Sequence, residues 1–258
     1  MLVATHIGFL VDKKPLLHNI TASFEPGKLH LILGPNGAGK STLIKLLSGE
    51  LVSKEGSIKL SEKKIEHYSL SELATKRAVL SQNVELSFPL KVHEVVMMGR
   101  YPHFESRPSQ LDEEVCKDAM NFFDITSFSK REYLTLSGGE KQRVHFARVL
   151  AQISHTQKVE CRYLFLDEPL TFLDVQYQFQ FMRLLKKLLK QQPLVIIGVV
   201  HDLNLAAKFA DQLLLLHKGK LLVSGCAEKV LTSQHIETAY GLTPMLHKTK
   251  NGLHLFFE

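Results

Sequence analysis

The stretch "GPNGAGKS", Gly34 to Ser41, has the residue types and spacing of a loop that holds phosphate. It fits the pattern G-x-x-x-x-G-K-[ST] in full. Glycines let the backbone turn its N–H groups toward an anion, Lys40 is placed to reach β- and γ-phosphates, and the Ser41 hydroxyl is placed to hold Mg²⁺. By itself the loop does not distinguish a kinase, a switch and a motor. The predicted phosphate-binding residues are Gly34, Pro35, Asn36, Gly37, Ala38, Gly39, Lys40, Ser41 and Thr42.

Acidic residues and a histidine follow two other apolar runs. The run in "CRYLFLDEP" ends in Asp167 and Glu168, and the run "LVIIGVV" ends at His201. Both runs predict buried strands, and the carboxyl ends of parallel strands line one crevice. Asp167 is then placed to position Mg²⁺, Glu168 to polarise an attacking water, and His201 to donate a hydrogen bond to the γ-phosphate. This is the chemistry of metal-assisted phosphoryl transfer with a general base.

A second anion site is predicted in "LTLSGGEKQRVHFARVLAQ", Leu134 to Gln152. Ser137 is an N-cap residue type and Glu140 stands three residues later, which predicts a capping box and a helix start. Gly138 and Gly139 leave backbone N–H groups open at that start. Two phosphate sites for one nucleotide make sense if the second serves a nucleotide held by another copy of the chain.

The elements that position these residues follow from hydrophobic periodicity. "LHLIL" predicts a buried strand before the phosphate loop, and "STLIKLLSG" a helix that stops at Gly49. "LLLLHKGKLLVSG" predicts a hairpin that turns at Lys218–Gly219. A helix from Val175 is predicted to face inward with Val175, Phe179, Met182, Leu185 and Leu189, and to end before Pro193. Between about residues 83 and 134 the chain loses long apolar runs, which predicts a separate small lobe.

Length and composition bound the class of protein. The chain has 258 residues, of which 45% are hydrophobic and 22% charged, so a folded α/β domain is expected. The net charge of +6 is scattered, which favours a solvated basic surface over a nucleic-acid site. Three separated cysteines support neither a disulfide framework nor a zinc site, and favour a reducing compartment. The N-terminus lacks the pattern of a secretion signal, and the apolar runs are too short to span a bilayer.

Taken together, the motifs resemble the ATP-binding cassette (ABC) ATPase family over essentially the whole chain. The resemblance rests on "GPNGAGKST", Gln82 in "LSQN", "LSGGEKQR", "LFLDEP", Asp174 in "TFLD" and His201 in "VVHD", in that order and spacing. It implies an α/β P-loop NTPase fold with a RecA-like core and a mainly parallel sheet, an N-terminal antiparallel β lobe, and a helical lobe inserted at about 83–150. The whole chain, 1–258, is then a single ABC ATPase domain.

The resemblance also implies a site shared between two copies. Two cassettes pair head to tail, and each ATP lies between Gly34–Thr42 of one copy and the signature segment, Ser137–Gln142, of the other. Gln82 senses Mg²⁺ and the γ-phosphate, and Asp174 lies at the dimer seam. The implied catalytic residues are Glu168, His201 and Gln82; the Mg²⁺ ligands are Ser41, Gln82 and Asp167; the contacts from the second copy are Ser137, Gly138, Gly139, Glu140 and Gln142.

The chain departs from the family pattern at two places. Bulky Phe172 replaces a small residue before the seam aspartate. Val11 stands where the family often places an aromatic residue that stacks on adenine, so Val11 is expected to supply apolar contact only.

Within the family, "EVVMMGRYPHF", Glu94 to Phe104, resembles cassettes that import heme, ferric siderophores or cobalamin. The "RYPHF" wording and the extra stretch "ISHTQKVECR" favour the heme branch. His103 is expected to pack or to contact a membrane partner rather than to ligate heme. The implied partners are a second copy, two transmembrane permease subunits and, indirectly, a periplasmic binding protein, with the chain at the cytoplasmic face of the bacterial inner membrane.

Three alternatives stay open at the level of sequence. The first is a cassette for a ferric siderophore or cobalamin. The second is a soluble ABC ATPase that acts on DNA or ribosomes, although the fused second cassette or long coiled coil usual in such proteins is not found. The third is a P-loop kinase, against which "LSGGE" argues.

Overall fold

The computed structural model describes residues 1–12, 14–81, 86–154, 160–171, 173–249 and 252–257. Its strands are β1 (Leu2–Val11), β2 (Lys14–Phe24), β3 (Leu29–Leu33), β4 (Glu55–Leu60), β5 (Lys63–Lys64), β6 (Arg77–Leu80), β7 (Arg162–Leu166), β8 (Leu194–Val199), β9 (Gln212–His217), β10 (Lys220–Gly225), β11 (Met245–Thr249) and β12 (Gly252–Phe256). Its α-helices are α1 (Lys40–Ser48), α2 (Leu70–Lys76), α3 (Val92–Met97), α4 (Gln110–Phe122), α5 (Gly138–Ile153), α6 (Val175–Gln191), α7 (Leu203–Phe209), α8 (Ala227–Val230) and α9 (Ser233–Tyr240).

The central sheet has six strands in the order β10-β9-β3-β8-β7-β6. The five strands from β9 to β6 run parallel, and β10 joins the edge antiparallel through β9. Every residue of β3, β7 and β8 is buried, as expected of parallel strands covered on both faces. The loops after β3, β7 and β8 therefore emerge together at one edge of the sheet.

A second, antiparallel sheet has the order β2-β1-β4-β5. Its buried residues, such as Leu2, Ile20 and Ile58, share one hydrophobic cluster with the apolar face of α1. Tyr163 of β7 fastens the two sheets together, because its hydroxyl donates to the Met1 carbonyl at 3.1 Å and accepts from the Ser61 N–H at 3.1 Å. Both predicted parts of the fold class, the mainly parallel core and the antiparallel β lobe, are confirmed.

Helices α3 and α4 and most of α5 lie within the predicted helical lobe, 83–150. Helix α5 continues three residues further and ends at Ile153. Its buried side belongs to the same hydrophobic cluster as strands of the central sheet. The helical content of this part of the chain is confirmed, while its division from the core as a lobe stays a prediction.

The last turn of α5 is clamped by the segment Met98–His103. Arg100 Nη1 donates to the carbonyls of Ala151 at 2.8 Å and Ser154 at 3.0 Å, and Arg100 Nε lies 2.9 Å from Asp112 Oδ1. Both side chains of this ion pair are almost completely buried. Gly99 has to be glycine here, because a Cβ atom would lie 2.1 Å from the Arg148 carbonyl oxygen.

His103 belongs to the same clamp. Its Nε2 lies 2.7 Å from the Gln152 carbonyl oxygen, and burial lowers the pKa of the imidazole. The expectation that His103 packs is confirmed. The side chain of Gln152 ties the end of α5 to α2 and β6 as well, since its Nε2 donates to the carbonyls of Ala74 and Arg77 at 2.8 and 3.0 Å.

Helix α6 agrees with its predicted buried side except at its start. Met182, Leu185 and Leu189 are buried, and Phe179 is partly buried. Val175 is 69% exposed, so the prediction that it faces inward is wrong. It lies seven residues before Met182, and therefore on the same side of the helix, but in a first turn that extends past the core.

Two hairpins complete the fold. The first, β9–β10, turns at Lys218–Gly219 with φ of 47° and 75°, as predicted. It is joined to β2 by a hydrogen bond from the His18 N–H to the Gly219 carbonyl at 2.8 Å. The second, β11–β12, is held on α7 by Asn204, which exchanges two hydrogen bonds with the backbone of Leu255. Across the described residues, none of the helices has the length and apolar composition that crossing a membrane requires.

Candidate functional site

The predicted phosphate loop connects β3 to α1 and forms one wall of a cleft. Two glycines allow its tight path: Gly34 has φ of 149° and lies where a Cβ atom would be 2.4 Å from the Leu216 carbonyl oxygen, and Gly39 has φ of 95°. The cleft has a volume of about 680 Å³. The residues lining it are Leu16, Asn36, Gly37, Gly39, Lys40, Ser41, Thr42, Glu168 and His201.

Lys40 is a buried cation held by the loop itself. Its Nζ donates to the carbonyls of Gly34 at 2.9 Å and Pro35 at 3.0 Å, and the side chain is almost completely buried. Burial lowers the pKa of the ammonium, while the nearby carboxylates of Glu168 and Asp167 oppose this. A buried ammonium whose hydrogen-bond acceptors are neutral carbonyls fits the binding of an anion, because the phosphates of a nucleotide would complete its electrostatic environment.

Ser41 and Asp167 meet across the floor of the cleft. The Ser41 hydroxyl donates to Asp167 Oδ1 at 2.9 Å. Burial raises the pKa of the Asp167 carboxyl, the Ser41 hydrogen bond lowers it, and the like charge of Glu168 raises it further. A hydroxyl and a buried carboxylate are hard oxygen donors, and a divalent cation would compensate the buried charge. This pair therefore fits Mg²⁺.

Glu168 leaves β7 in a strained backbone conformation. Its φ is 50°, which is the left-handed region and uncommon for a residue other than glycine. Its Oε1 lies 2.9 Å from His201 Nε2, and the side chain of His201 is 48% exposed toward the cleft. The ends of β3, β7 and β8 thus bring the predicted loop, acids and histidine together, as the sequence indicated.

The signature segment lies at the start of α5. Ser137 caps the helix and forms the predicted capping box with Glu140: Ser137 N–H donates to Glu140 Oε2 at 2.8 Å, and Glu140 N–H to Ser137 Oγ at 3.3 Å. Ser137 and Gly138 are exposed, and within the described residues no part of the signature lines the cleft. The predicted contact of the signature segment with a nucleotide held by another copy stays a prediction.

Two predicted residues adopt local roles in the single chain. Gln142 Nε2 donates to the Pro169 carbonyl at 2.9 Å, which ties the signature helix to the turn after Glu168. Asp174 is exposed and caps α6, accepting from the Tyr177 N–H at 2.9 Å. Their predicted contacts with a second copy stay predictions. Gln82 and Phe172, and residues 155–159 of the extra stretch, lie outside the described residues.

Two residues near the cleft were not singled out from the sequence. Leu16 of β2 lines the cleft, whereas Val11 lies at the exposed end of β1 outside the cleft lining, and its contact with adenine stays a prediction. Tyr240 of α9 lies beside the backbone of Gly34, and burial raises the pKa of Tyr240 to about 12 although this backbone group opposes the shift. The shifted register of β1 against β2 hides the position of Leu16 from an alternating pattern, and no local pattern reports a contact across 206 residues such as that of Tyr240.

A nucleotide-sized cleft with a buried lysine, a hydroxyl–carboxylate pair and an acid–histidine pair defines a P-loop nucleoside triphosphatase. Comparison with known proteins gives the family. A family model described as ABC transporter matches residues 17–171, and the chain belongs to this family as an ATP-hydrolysing subunit.

Curated relatives and solved structures agree with this assignment. The hemin import ATP-binding protein HmuV of Gloeobacter violaceus is 43% identical over 95% of this chain and 89% of its own, and HmuV of Escherichia coli O157:H7 is 39% identical over 93% and 92%. A metal-chelate type ABC transporter in an inward-facing conformation superposes with a TM-score of 0.82 at 26% identity, covering 100% of this chain and 96% of that one. A dimeric bacterial ABC transporter cassette shares the fold, with a TM-score of 0.75 at 23% identity over 88% and 99%.

Proposed function

We propose that this chain binds Mg²⁺ and ATP in the cleft, hydrolyses ATP in a closed pair of copies, and energises the import of heme. One observation supports the proposed hydrolysis of ATP: two pairs of polar side chains meet beside the same cleft. Ser41 with Asp167, and Glu168 with His201, each meet at 2.9 Å beside the phosphate loop. Separate strands supply these residues, so the convergence is a property of the fold and not of one local motif.

The side chains of the proposed site have distinct roles. Lys40 binds the β- and γ-phosphates, and Ser41 and Asp167, together with Gln82, hold Mg²⁺, which supplies charge neutralisation of the phosphates when bound. Glu168 accepts a proton from the attacking water. His201 holds the Glu168 carboxylate in place in the open cleft, and in the closed pair its Nε2–H donates to the γ-phosphate.

The second copy completes the site in this proposal. Ser137 and Gly138 are exposed at the start of a 16-residue helix, where backbone N–H groups and the helix dipole favour an anion. Exposed Asp174 and Val175, at the start of α6, offer a surface for the seam. Gly139, Glu140 and Gln142 complete the predicted contact with the partner's ATP.

The transported substrate is proposed from the relatives. Two hemin import proteins match more than nine-tenths of this chain at about 40% identity. The chain would then lie at the cytoplasmic face of the bacterial inner membrane, bound to two permease subunits that receive heme from a periplasmic binding protein, with no nucleic-acid partner. A ferric siderophore or cobalamin is the second candidate, favoured by the metal-chelate type transporter that the chain resembles at 26% identity.

Substitution of the proposed base tests the catalytic part. Glu168→Gln keeps the shape of the side chain and a hydrogen-bonding atom next to His201, but its amide cannot accept the proton. ATP hydrolysis should fall by about 10²–10⁴-fold while ATP binding is retained. Glu237→Gln, at an exposed acid of α9, is the matched control and should hydrolyse ATP at the unsubstituted rate. A Glu168→Gln chain with full activity would contradict the proposed base.

Uptake assays with the reconstituted transporter test which substrate is imported. The chain is assembled in vesicles with its permease subunits and binding protein, and uptake is measured for heme, a ferric siderophore and cobalamin, with Glu168→Gln as the inactive control. The proposal expects ATP-dependent uptake of heme alone. Uptake of another substrate would retain the hydrolytic mechanism and reject heme.

A further inference from the structure

The C-terminal hairpin β11–β12 has an inner and an outer face. Leu255 is 2% exposed and packs into the core, so it marks the inner face. Side chains alternate along a strand, and residues paired across two strands share a face. The outer face therefore carries the pair Met245 and Phe256 and the pair His247 and His254.

The two histidines stand directly opposite each other in the hairpin register. Paired residues of antiparallel strands have Cβ atoms about 4.5–5.5 Å apart. His247 is exposed and His254 is half-buried. In the part of the chain that the structure describes, neither imidazole has a hydrogen-bond or ion-pair partner, whereas His103 and His201 each contact a protein oxygen.

Two neighbouring imidazoles with free ring nitrogens are ligands for a transition-metal ion. Imidazole nitrogen suits Zn²⁺, Cu²⁺ and Ni²⁺, and affinity for a given nitrogen site is highest for Cu²⁺. Met245 adds a thioether on the same face, two residues from His247, and thioethers favour Cu⁺. Among the described residues, no three His, Cys, Asp or Glu side chains form a metal site, so a third protein ligand would have to be of another type, such as Met245 on the same face.

We propose that His247 and His254 chelate a transition-metal ion on the outer face of the hairpin, with copper bound most tightly and Met245 as a further ligand. The hairpin presents the pair in a fixed arrangement, because Leu255 is buried and Asn204 makes hydrogen bonds of 3.0 and 2.7 Å to its backbone. Preorganisation makes the second Cu–N bond effectively intramolecular, which strengthens binding without any new contact. The site is separate from the ATP cleft and does not depend on the proposed transport function.

Copper titration of the full chain, freed of any affinity tag, tests the site. Cu²⁺ affinity is measured by competition with a chelator for the unsubstituted chain and for His247→Ala, His254→Ala and His67→Ala. The first two should each weaken the tightest site by about tenfold or more, since each removes the chelate. His67 is an exposed histidine outside the hairpin, so its variant should bind as the unsubstituted chain does.

Spectroscopy reports the copper ligands directly, and a loss of protein stability in a variant would not produce the same change in the spectrum. The 1:1 Cu²⁺ complex should show two imidazole nitrogens by electron paramagnetic resonance, and His247→Ala should show one. Met245→Leu should weaken Cu⁺ binding and leave Zn²⁺ binding unchanged, and an unchanged Cu⁺ affinity would remove Met245 from the ligand set. Equal copper affinity in the double variant His247→Ala/His254→Ala and in the unsubstituted chain would overturn the site.

Discussion

Asp167→Asn should make the nucleotide-free protein more stable while removing its response to Mg²⁺ and ATP. Asp167 is 5% exposed, and its carboxylate lies near the like charge of Glu168 and accepts a hydrogen bond from the Ser41 hydroxyl. Asparagine has the same shape, and its carbonyl oxygen still accepts from Ser41. The substitution therefore removes a buried charge that opposes folding, at the expense of weaker attractions to Lys45 and to the buried ammonium of Lys40.

The expected gain in the free energy of unfolding is about 1 kcal/mol, which is typical when a functional site is relieved of an unfavourable charge. For a chain of this length that corresponds to a rise of about 2–4 °C in the thermal midpoint. In Mg²⁺ and ATP at about 100 times the dissociation constant, the unsubstituted chain should gain about 2.7 kcal/mol. The variant should gain little, so the order of stability reverses.

Asp167 also makes the stability of the folded chain depend on pH. Burial raises the pKa of Asp167 in the folded chain above its ordinary value of 3.8, so the folded state binds this proton more tightly than the unfolded state. Stability from the protonated group is present below that ordinary value and is lost as the pH rises through the folded-state pKa. The advantage of the variant should therefore be full near neutral pH and should narrow as the pH falls toward 3.8.

Urea unfolding followed by circular dichroism, without nucleotide and across this pH range, measures the effect. Glu237→Gln, which removes an exposed charge, is the control and should change the free energy of unfolding by less than about 0.5 kcal/mol. A nucleotide-free Asp167→Asn chain less stable than the unsubstituted one would refute the reasoning, because the carboxylate would then be a net stabilising group.

Two further substitutions test the clamp and the cleft. Arg100→Met leaves the buried Asp112 carboxylate without its guanidinium and should lower the free energy of unfolding by about 3–5 kcal/mol, whereas Arg100→Met with Asp112→Asn should recover much of this loss in urea unfolding. Leu16→Tyr places an aromatic ring on the cleft wall and should tighten ATP binding measured by calorimetry by a few-fold, with Leu10→Tyr, outside the cleft lining, as the unaffected control.

The parts of the fold that the sequence predicted well are those in which burial leaves few choices. Continuous apolar runs predicted β3, β7 and β8, and because all three run parallel, the polar residues at their ends had to meet at one edge. Gly49 ends α1 in a left-handed conformation, as its position after a helical pattern predicted.

The parts that sequence reasoning missed depend on irregular or distant contacts. Strand β1 shifts register against β2 at three points, and His6 has φ of 51°, so an alternating pattern could not place Val11 or Leu16 relative to the cleft. The hydrogen bond of Gln142 to Pro169 joins two elements 27 residues apart, and no periodicity in either element encodes it.

The clamp holds α5 at its C-terminal end, so a rotation there displaces the N-terminal end. The C-terminal end of α5 is held by the segment Met98–His103 through a hydrogen bond of Arg100, and the N-terminal end is capped by the exposed Ser137. A helix of 16 residues is about 24 Å long, so a tilt of about 5° about its C-terminal end displaces its N-terminal end by about 2 Å. That displacement is two-thirds of a hydrogen-bond length, enough to make or break a contact with phosphate. A small rotation of the Met98–His103 segment would therefore be magnified at Ser137, where the proposed contact with the ATP of a second copy lies.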